Sequence, residues 1–297
     1  MNSPSGPNSR APDAPARITY RNGEWLAAGQ PMLALNDPAV MQSVTVVERI
    51  RTYGTKLFQL ERHLDRWSAS VDALQIVGLP TNDQLRSILD ELIARNQPWV
   101  DQEEDFGVLL IASPGFGGTP TLIADLWEID QTRVTNRIRN GSPVVVTDVE
   151  QPSPSSWSRH IKTRCRLHYY LADRQAQAHS NETLGVLVDS EGSITETGIA
   201  NVLIVEGRSV VQPESEQILH GVSMQIAREL AMKIGIAWSE DRISAERLEN
   251  ADEILLTGTS CGIWFGYPAS HGGQNRPGPI YTQLRTAFDG LIASKKW

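Results

Sequence analysis

Short apolar runs rich in β-branched residues follow one another along this chain without a regular alternation with helices. A doubly wound parallel sheet needs a helical crossover between successive strands. The pattern therefore predicts mixed or antiparallel sheets in an α/β (α+β) chain of two domains. Residues 17–25 read as a strand and turn, with Asn22-Gly23 as a hairpin signal. Residues 44–53 and 56–60 read as two strands turned by Gly54-Thr55. Leu64, Trp67, Val71 and Leu74 make a helical stripe over 61–76, and Leu85, Ile88, Leu89 and Leu92 repeat it over 82–96. Residues 106–112 and 121–127 read as strands around the Gly-rich turn Pro114-Gly115-Phe116-Gly117-Gly118.

The polar, Arg-rich stretch 130–141 reads as a linker between a small N-terminal domain, 17–129, and a larger one, 142–297. In the larger domain, 143–148 predicts a strand, 151–158 a Pro/Ser loop, and the segment from Lys162 to about residue 178 a helix. Strands are expected over 183–189, 193–206 and 253–256, and helices over 221–235 and 280–293. Residues 1–16, rich in Pro, Ser, Asn and Ala, read as a disordered leader without the apolar core of a signal peptide.

With 297 residues, 40% hydrophobic and 21% charged, the chain can bury one large core or two smaller ones. A net charge of -8 argues against a nucleic-acid groove, which needs a basic face. No apolar run reaches the length of a membrane span, so no membrane partner is expected and the protein reads as cytoplasmic. Cys165 and Cys261 make neither a disulfide framework nor a zinc site, and no metal is expected. The turn after Ala112 lacks the G-x-G-x-x-G spacing of a dinucleotide site, and no G-x-S-x-G elbow marks a hydrolase.

Lysine is scarce: five residues against twenty-two arginines. One of the five, Lys162, stands in Arg159-His160-Ile161-Lys162-Thr163, and Ile194-Thr195-Glu196-Thr197 follows downstream. A Schiff-base enzyme that uses pyridoxal 5'-phosphate needs an amine of this kind and a carboxylate that keeps the ring nitrogen protonated. An ordinary lysine has a pKa near ~10.4, so a nucleophilic one needs desolvation or cationic neighbours. Arg159, Arg164 and Arg166 are candidates for the latter. Gly221-Val222-Ser223 opens a helix whose free amides suit an anion, and Thr257-Gly258-Thr259-Ser260 is a hydroxyl-rich turn after a strand. Each feature has a plainer alternative: a solvated lysine before a helix, an exposed edge glutamate, an ordinary helix start, an ordinary turn. For Arg66 the alternative is a surface residue paired with Asp65 or Glu61.

Taken in order, these motifs resemble the class IV aminotransferases, the fold-type IV pyridoxal phosphate enzymes. That family includes branched-chain and D-amino acid transaminases and aminodeoxychorismate lyase. The resemblance runs from about Tyr20 to Ala293, through Asn22-Gly23, Asp37, Glu48 with Arg51, Leu60-Glu61-Arg62-His63-Leu64-Asp65-Arg66, Ile161-Lys162-Thr163, Thr195-Glu196 with Asn201, Leu219-His220-Gly221-Val222-Ser223, and Leu256-Thr257-Gly258-Thr259-Ser260. It implies a large cofactor-binding domain, Lys162 as the Schiff-base and catalytic lysine, and Glu196 as the partner of the ring nitrogen. Arg66, Thr259 and the amides of Val222 and Ser223 would hold the phosphate, Leu219 would pack on the ring, and the amides of Thr259 and Ser260 would seat the substrate carboxylate. The implied partners are an amino acid and a 2-oxo acid, the implied assembly a homodimer.

The substrate positions depart from the family pattern at Gln42, Ser43, Val47, Val108 and Leu167, where the family often carries Tyr-Gly, an aromatic, an Arg and a Tyr. Arg164 and Arg166 are candidate ligands of a substrate carboxylate, with solvated helix arginines as the alternative. The expected activity is transamination of an amino acid, branched-chain-like or other. The alternatives are a lyase of the aminodeoxychorismate lyase type and a non-catalytic binding protein.

Overall fold

The computed structural model describes residues 16–270 and 276–297 and forms two compact units. The first comprises the described residues up to Ile129 together with Lys162–Cys165; the second comprises Asp130–Ile161 and the described residues from Arg166 to Trp297. The expected leader over 1–16 lies, but for its last residue, outside the described residues. Among the described residues no helix is long and apolar enough to cross a membrane.

In the first unit, β1 (Ile18–Arg21) and β2 (Glu24–Ala27) form the expected hairpin, with Asn22 and Gly23 both at positive φ. They are followed by α1 (Pro38–Gln42), β3 (Val46–Tyr53), β4 (Lys56–Leu57), α2 (Leu60–Ala73), α3 (Asn82–Arg95), α4 (Gln97–Val100), β5 (Phe106–Phe116) and β6 (Thr119–Glu128). The six strands make one antiparallel sheet in the order β2-β1-β6-β5-β3-β4. Strand periodicity selects the covered face: Val46 and Ile50 of β3, Val108, Leu110 and Ala112 of β5, and Leu122, Ala124 and Leu126 of β6 are buried together. Leu64 and Trp67 of α2 and Leu85, Leu89 and Leu92 of α3 belong to the same core, as their spacing predicts. Thr81 and Gln84 close a capping box at the start of α3.

The second unit holds α5 (Gln131–Asn140), β7 (Ser142–Glu150), α6 (Leu167–Ala176), β8 (Leu184–Val188), β9 (Ile194–Thr197), β10 (Asn201–Glu206), β11 (Ser209–Gln212), α7 (Val222–Lys233), β12 (Ala237–Glu240), α8 (Ala245–Glu249), β13 (Glu253–Gly258), β14 (Gly262–Pro268) and α9 (Pro279–Ser294). The sheet is mixed, in the order β12-β11-β10-β13-β14-β7-β8-β9, with parallel pairs β11–β12, β14–β7 and β7–β8. Because β9 also pairs with β10, six strands close into a ring. Strands of this ring are buried on both sides, so β10 and β13 carry the continuous apolar runs Val202–Val205 and Ile254–Leu256, and in β9 even the polar Thr195, Glu196 and Thr197 are buried.

Several local expectations are corrected. The stretch expected as a linker, 130–141, contains helix α5, capped by Asp130, with Val134 as its buried residue. The helix expected from Lys162 begins only at Leu167. The single strand expected over 193–206 is two, because Thr197 Oγ1 accepts from the amides of Ile199 and Ala200 and turns the chain.

Glu253, at the start of β13, is buried and accepts from the amides of Ile280 (2.8 Å) and Tyr281 (2.7 Å), capping α9. A Cβ at the neighbouring Gly278 would lie 2.0 Å from Glu253 Cδ, so glycine is required for this approach. Glu253→Ala is expected to lower unfolding free energy by about 1–3 kcal/mol, because two buried amides lose their acceptor. Gly278→Ala should destabilise the wild type and cost less in the Glu253→Ala background. Urea unfolding of the four proteins measures this coupling; additive effects would contradict it.

Candidate active site

Strand β3 carries Glu48 on the same face as Val46 and Ile50, and so into the first unit's interior, where it is 0% exposed. Helix α2 presents His63 and Arg66, three residues apart and hence on one face. Arg66 grips the carboxylate in a fork, Nε to Oε1 at 2.7 Å and Nη2 to Oε2 at 2.9 Å, and His63 Nδ1 meets Oε2 at 2.9 Å. Burial by itself raises the Glu48 pKa; the Arg66 charge and the hydrogen bonds from His63 and Arg66 overturn this and hold it at about 2. Burial lowers His63, helped by the charges of Arg66 and Lys162 against the pull of Glu48, so its imidazole is neutral and donates from Nδ1. Arg66 is thus oriented by Glu48, not by Asp65 or Glu61.

Lys162 is half-buried, and its backbone is fixed to the same unit: Val47 N donates to Lys162 O (2.9 Å), and Lys162 N donates to Ser70 Oγ (3.2 Å). Ser70 Oγ in turn donates to Arg66 O (2.9 Å), so one serine ties Lys162 to the turn of α2 that carries Arg66. Arg164 N donates to Thr45 Oγ1 at 2.9 Å, which holds the segment after the lysine against the start of β3.

In the second unit the strand register aligns the site. Glu196 of β9 lies opposite Asn201 of β10, and Asn201 lies opposite Thr257 of β13, so the three side chains share one face of three adjacent strands. Glu196 is buried and accepts four hydrogen bonds: from Tyr169 Oη (2.6 Å) and Gln151 Nε2 (3.1 Å) at Oε1, and from Asn201 Nδ2 (3.2 Å) and Leu219 N (3.0 Å) at Oε2. Asn201 Nδ2 also donates to Leu219 O at 2.8 Å, which fixes Leu219 through both of its backbone groups. Burial first, then the charge of Glu196 and the hydrogen bond to it, raise the Tyr169 pKa well above 10, so this hydroxyl remains a donor. Burial and the charges of Arg159 and Arg166 push His168 down to about 4.

A polar cofactor needs donors and acceptors that the protein leaves for it, and several residues fit. Helix α7 begins at Val222 and Ser223, both buried, with Gly221 at the N-cap and no side chain capping it. Thr257 Oγ1 and Gln151 Oε1 are buried and have no hydrogen-bond partner. A Cβ at Gly221 would lie 2.2 Å from Asn201 Oδ1, so the helix start comes as close to the Glu196 row as a residue without a side chain allows. Thr259 and Ser260 follow β13, half-buried.

Four residues singled out in the sequence have these places in the structure. Arg166, a candidate ligand of a substrate carboxylate, donates to Gly198 O and lies over the Tyr169 ring, 4.5 Å from its centroid. Arg159 lies over the Trp157 ring and donates to Trp157 O, whereas His63 feels the Lys162 charge. Val108 is 0% exposed in the core of the first unit and lines no surface. Leu167 is 67% exposed at the first turn of α6, and Tyr169, two residues on, is the tyrosine that reaches Glu196. Sequence reasoning assigned no role to Glu48, His63, Gln151 or Tyr169. The signal for Glu48 was its place in the alternation Val46-Glu48-Ile50, where a carboxylate must be paired.

The depressed Glu48 carboxyl has a pH signature. A carboxylate whose folded pKa of about 2 lies below its ordinary 4.5 contributes stability above 4.5 and loses it as pH falls toward 2. Glu48→Gln should flatten this part of the stability profile and destabilise the neutral protein by about 3–5 kcal/mol, because Arg66 loses its buried partner. Urea titrations between pH 2 and 7 check both (~ range set by the two pKa values); a Glu48→Gln profile parallel to the wild type would contradict the assignment.

Known proteins resemble this chain in sequence and in fold. Residues 45–265 match the family described as amino-transferase class IV. Branched-chain-amino-acid aminotransferase-like protein 2 of Arabidopsis thaliana is 25% identical over 295 residues, covering 96% of this chain and 52% of its own length. The chain thus spans about half the length of that relative. D-alanine aminotransferase of Staphylococcus aureus (strain COL) is 24% identical over 293 residues, covering 93% of this chain and 98% of its own. The crystal structure of the Escherichia coli branched-chain amino acid aminotransferase superposes with a TM-score of 0.85 at 21% identity, covering 95% of this chain and 98% of that one, and so shares its fold. With most of the chain matched by one family, and with its fold in agreement, the protein belongs to the class IV aminotransferases.

Proposed function

We propose that this chain is a pyridoxal 5'-phosphate-dependent aminotransferase that moves an amino group between an amino acid and a 2-oxo acid. The observation that carries the reading is the buried Glu196 carboxylate, held by four donors beside Leu219 and the uncapped start of α7. The class to which the chain belongs uses this cofactor. When bound, it supplies an aldehyde for an amine and a ring that withdraws electrons from the adjacent C–H bond. Lys162 would hold that aldehyde through Nζ, which would also serve as the base that moves the proton of the substrate Cα. Glu196 would keep a proton on the ring nitrogen by charge and hydrogen bond. Arg66, oriented by Glu48, and the amides of Val222 and Ser223, with Thr259, are assigned to the phosphate. Leu219 is assigned to the ring face, and the amides of Thr259 and Ser260 to the substrate carboxylate. Arg164 is retained as a second candidate for that carboxylate.

The relatives include branched-chain and D-alanine enzymes, and a branched-chain-like amino donor is our first choice. A cytoplasmic homodimer is part of the same reading; sedimentation at micromolar concentration tests the dimer.

Purified protein incubated with pyridoxal 5'-phosphate should turn yellow, and Lys162→Ala should lose the lysine-dependent absorption band. Glu196→Ala should still bind cofactor but transaminate about 10²-fold or more slowly, in line with loss of one preorganised electrostatic partner. Single L- and D-amino acids, added one at a time, identify the donor by bleaching the band. Dependence of turnover on a 2-oxo acid then separates transamination from elimination. Wild-type protein that stays colourless, or a fully active Glu196→Ala variant, would contradict the proposal.

A further inference from the structure

The two oxygens of Glu196 are held from different directions. The Oε2 donors, Asn201 Nδ2 and Leu219 N, come from β10 and from the strap that leads into α7. The Oε1 donors come from the side of α6: Tyr169 Oη at 2.6 Å and Gln151 Nε2 at 3.1 Å, with Gln151 Nε2 and Tyr169 Oη themselves 3.5 Å apart. The tyrosine bond is the shortest of the four. The ring that bears the hydroxyl is fixed in turn: Arg166 lies over it and donates to Gly198 O, in the turn that follows Glu196. His168 packs at 4.1 Å between ring centroids. Gln151 is placed by its own backbone, whose amide donates to Val188 O of β8 at 2.7 Å.

We propose that Tyr169, seconded by Gln151, is a positioning residue that sets the basicity of Glu196 toward the ring nitrogen of the bound cofactor. The inference rests on the aminotransferase reading above. A hydrogen bond donated to a carboxylate stabilises its charged form and lowers its affinity for a proton. With the cofactor bound, the proton between Glu196 and the ring nitrogen would therefore stay on nitrogen, which would keep the ring electron-withdrawing. Without the Tyr169 hydroxyl, Glu196 becomes more basic and draws that proton toward itself. The same bond orients the carboxylate, since at 2.6 Å it is shorter than the 3.1 Å contact that Oε1 makes to Gln151. The Tyr169 hydroxyl is itself held protonated by burial and by the charge beside it, so its role as donor persists through the neutral pH range.

The test uses holoenzyme reconstituted with pyridoxal 5'-phosphate labelled with 15N in the ring. In wild type the 15N resonance should stand at the protonated position. In Tyr169→Phe it should move toward the unprotonated position, and the kcat of the amino-acid half-reaction should fall about 10- to 100-fold with little change in KM, since a hydrogen bond to a charged group is equivalent to one or two decades. Gln151→Leu should shift the resonance in the same direction by a smaller amount, and carries the test alone if Tyr169→Phe does not fold. A 15N resonance unmoved in the variants overturns the proposal even if activity falls, since a merely structural role would lower activity without moving the proton. Wild-type protein that takes up no labelled cofactor overturns the aminotransferase reading and this one with it, whereas normal uptake with an unmoved resonance overturns this one alone.

Discussion

A carboxylate removed from water is stable only where donors and positive charge replace its hydration, and among the described residues three glutamates are buried on strands. Each is answered differently. Glu48 takes a guanidinium fork and an imidazole, Glu196 takes four donors from four segments, and Glu253 takes the first amides of α9. The answering groups cannot be moved without stranding a charge in the interior. Glu48 therefore fixes α2 on β3, Glu253 fixes α9 on β13, and Glu196 fixes α6, β10 and the strap before α7 around one point.

The topology of the second unit explains why Glu196 gathers so many partners. Pairing of β9 with both β8 and β10 closes the strands into a ring, and closure brings the chain before β8, the helix that crosses from β7 and the start of β10 to one strand end. Register then does the rest, since Glu196, Asn201 and Thr257 stand opposite one another on adjacent strands. In the first unit Ser70 has a comparable role on a smaller scale, bonding at once to Arg66 and Lys162.

Much of the fold was legible. The helical stripes of α2 and α3 and the Asn22-Gly23 hairpin stand where period and turn chemistry predict them, because those signals are local. The short strands β11 and β12, of four residues each, and the helix α5 were not legible: each is stabilised by what it packs against, and none is long or apolar enough to give a periodic signal. Of the site, the order of Lys162, Glu196, Gly221 and Thr257 along the chain carries the resemblance to the family. Tyr169 was not readable, since it stands two residues beyond the position where the family pattern seeks a tyrosine, and helix α6 starts later than the sequence predicts.

The sequence by itself determined which residue types are present and in what order, and from these the class of chemistry: a scarce lysine, a downstream glutamate, a glycine before a helix and a hydroxyl-rich turn. Only the tertiary structure decided which carboxylates are buried and what answers them. Burial depends on which strand lies beside which, and hydrogen bonds such as those from Gln151, Tyr169 and Leu219 to Glu196 join residues from 23 to 45 positions apart. No local pattern encodes such distances; they follow from strand register and ring closure.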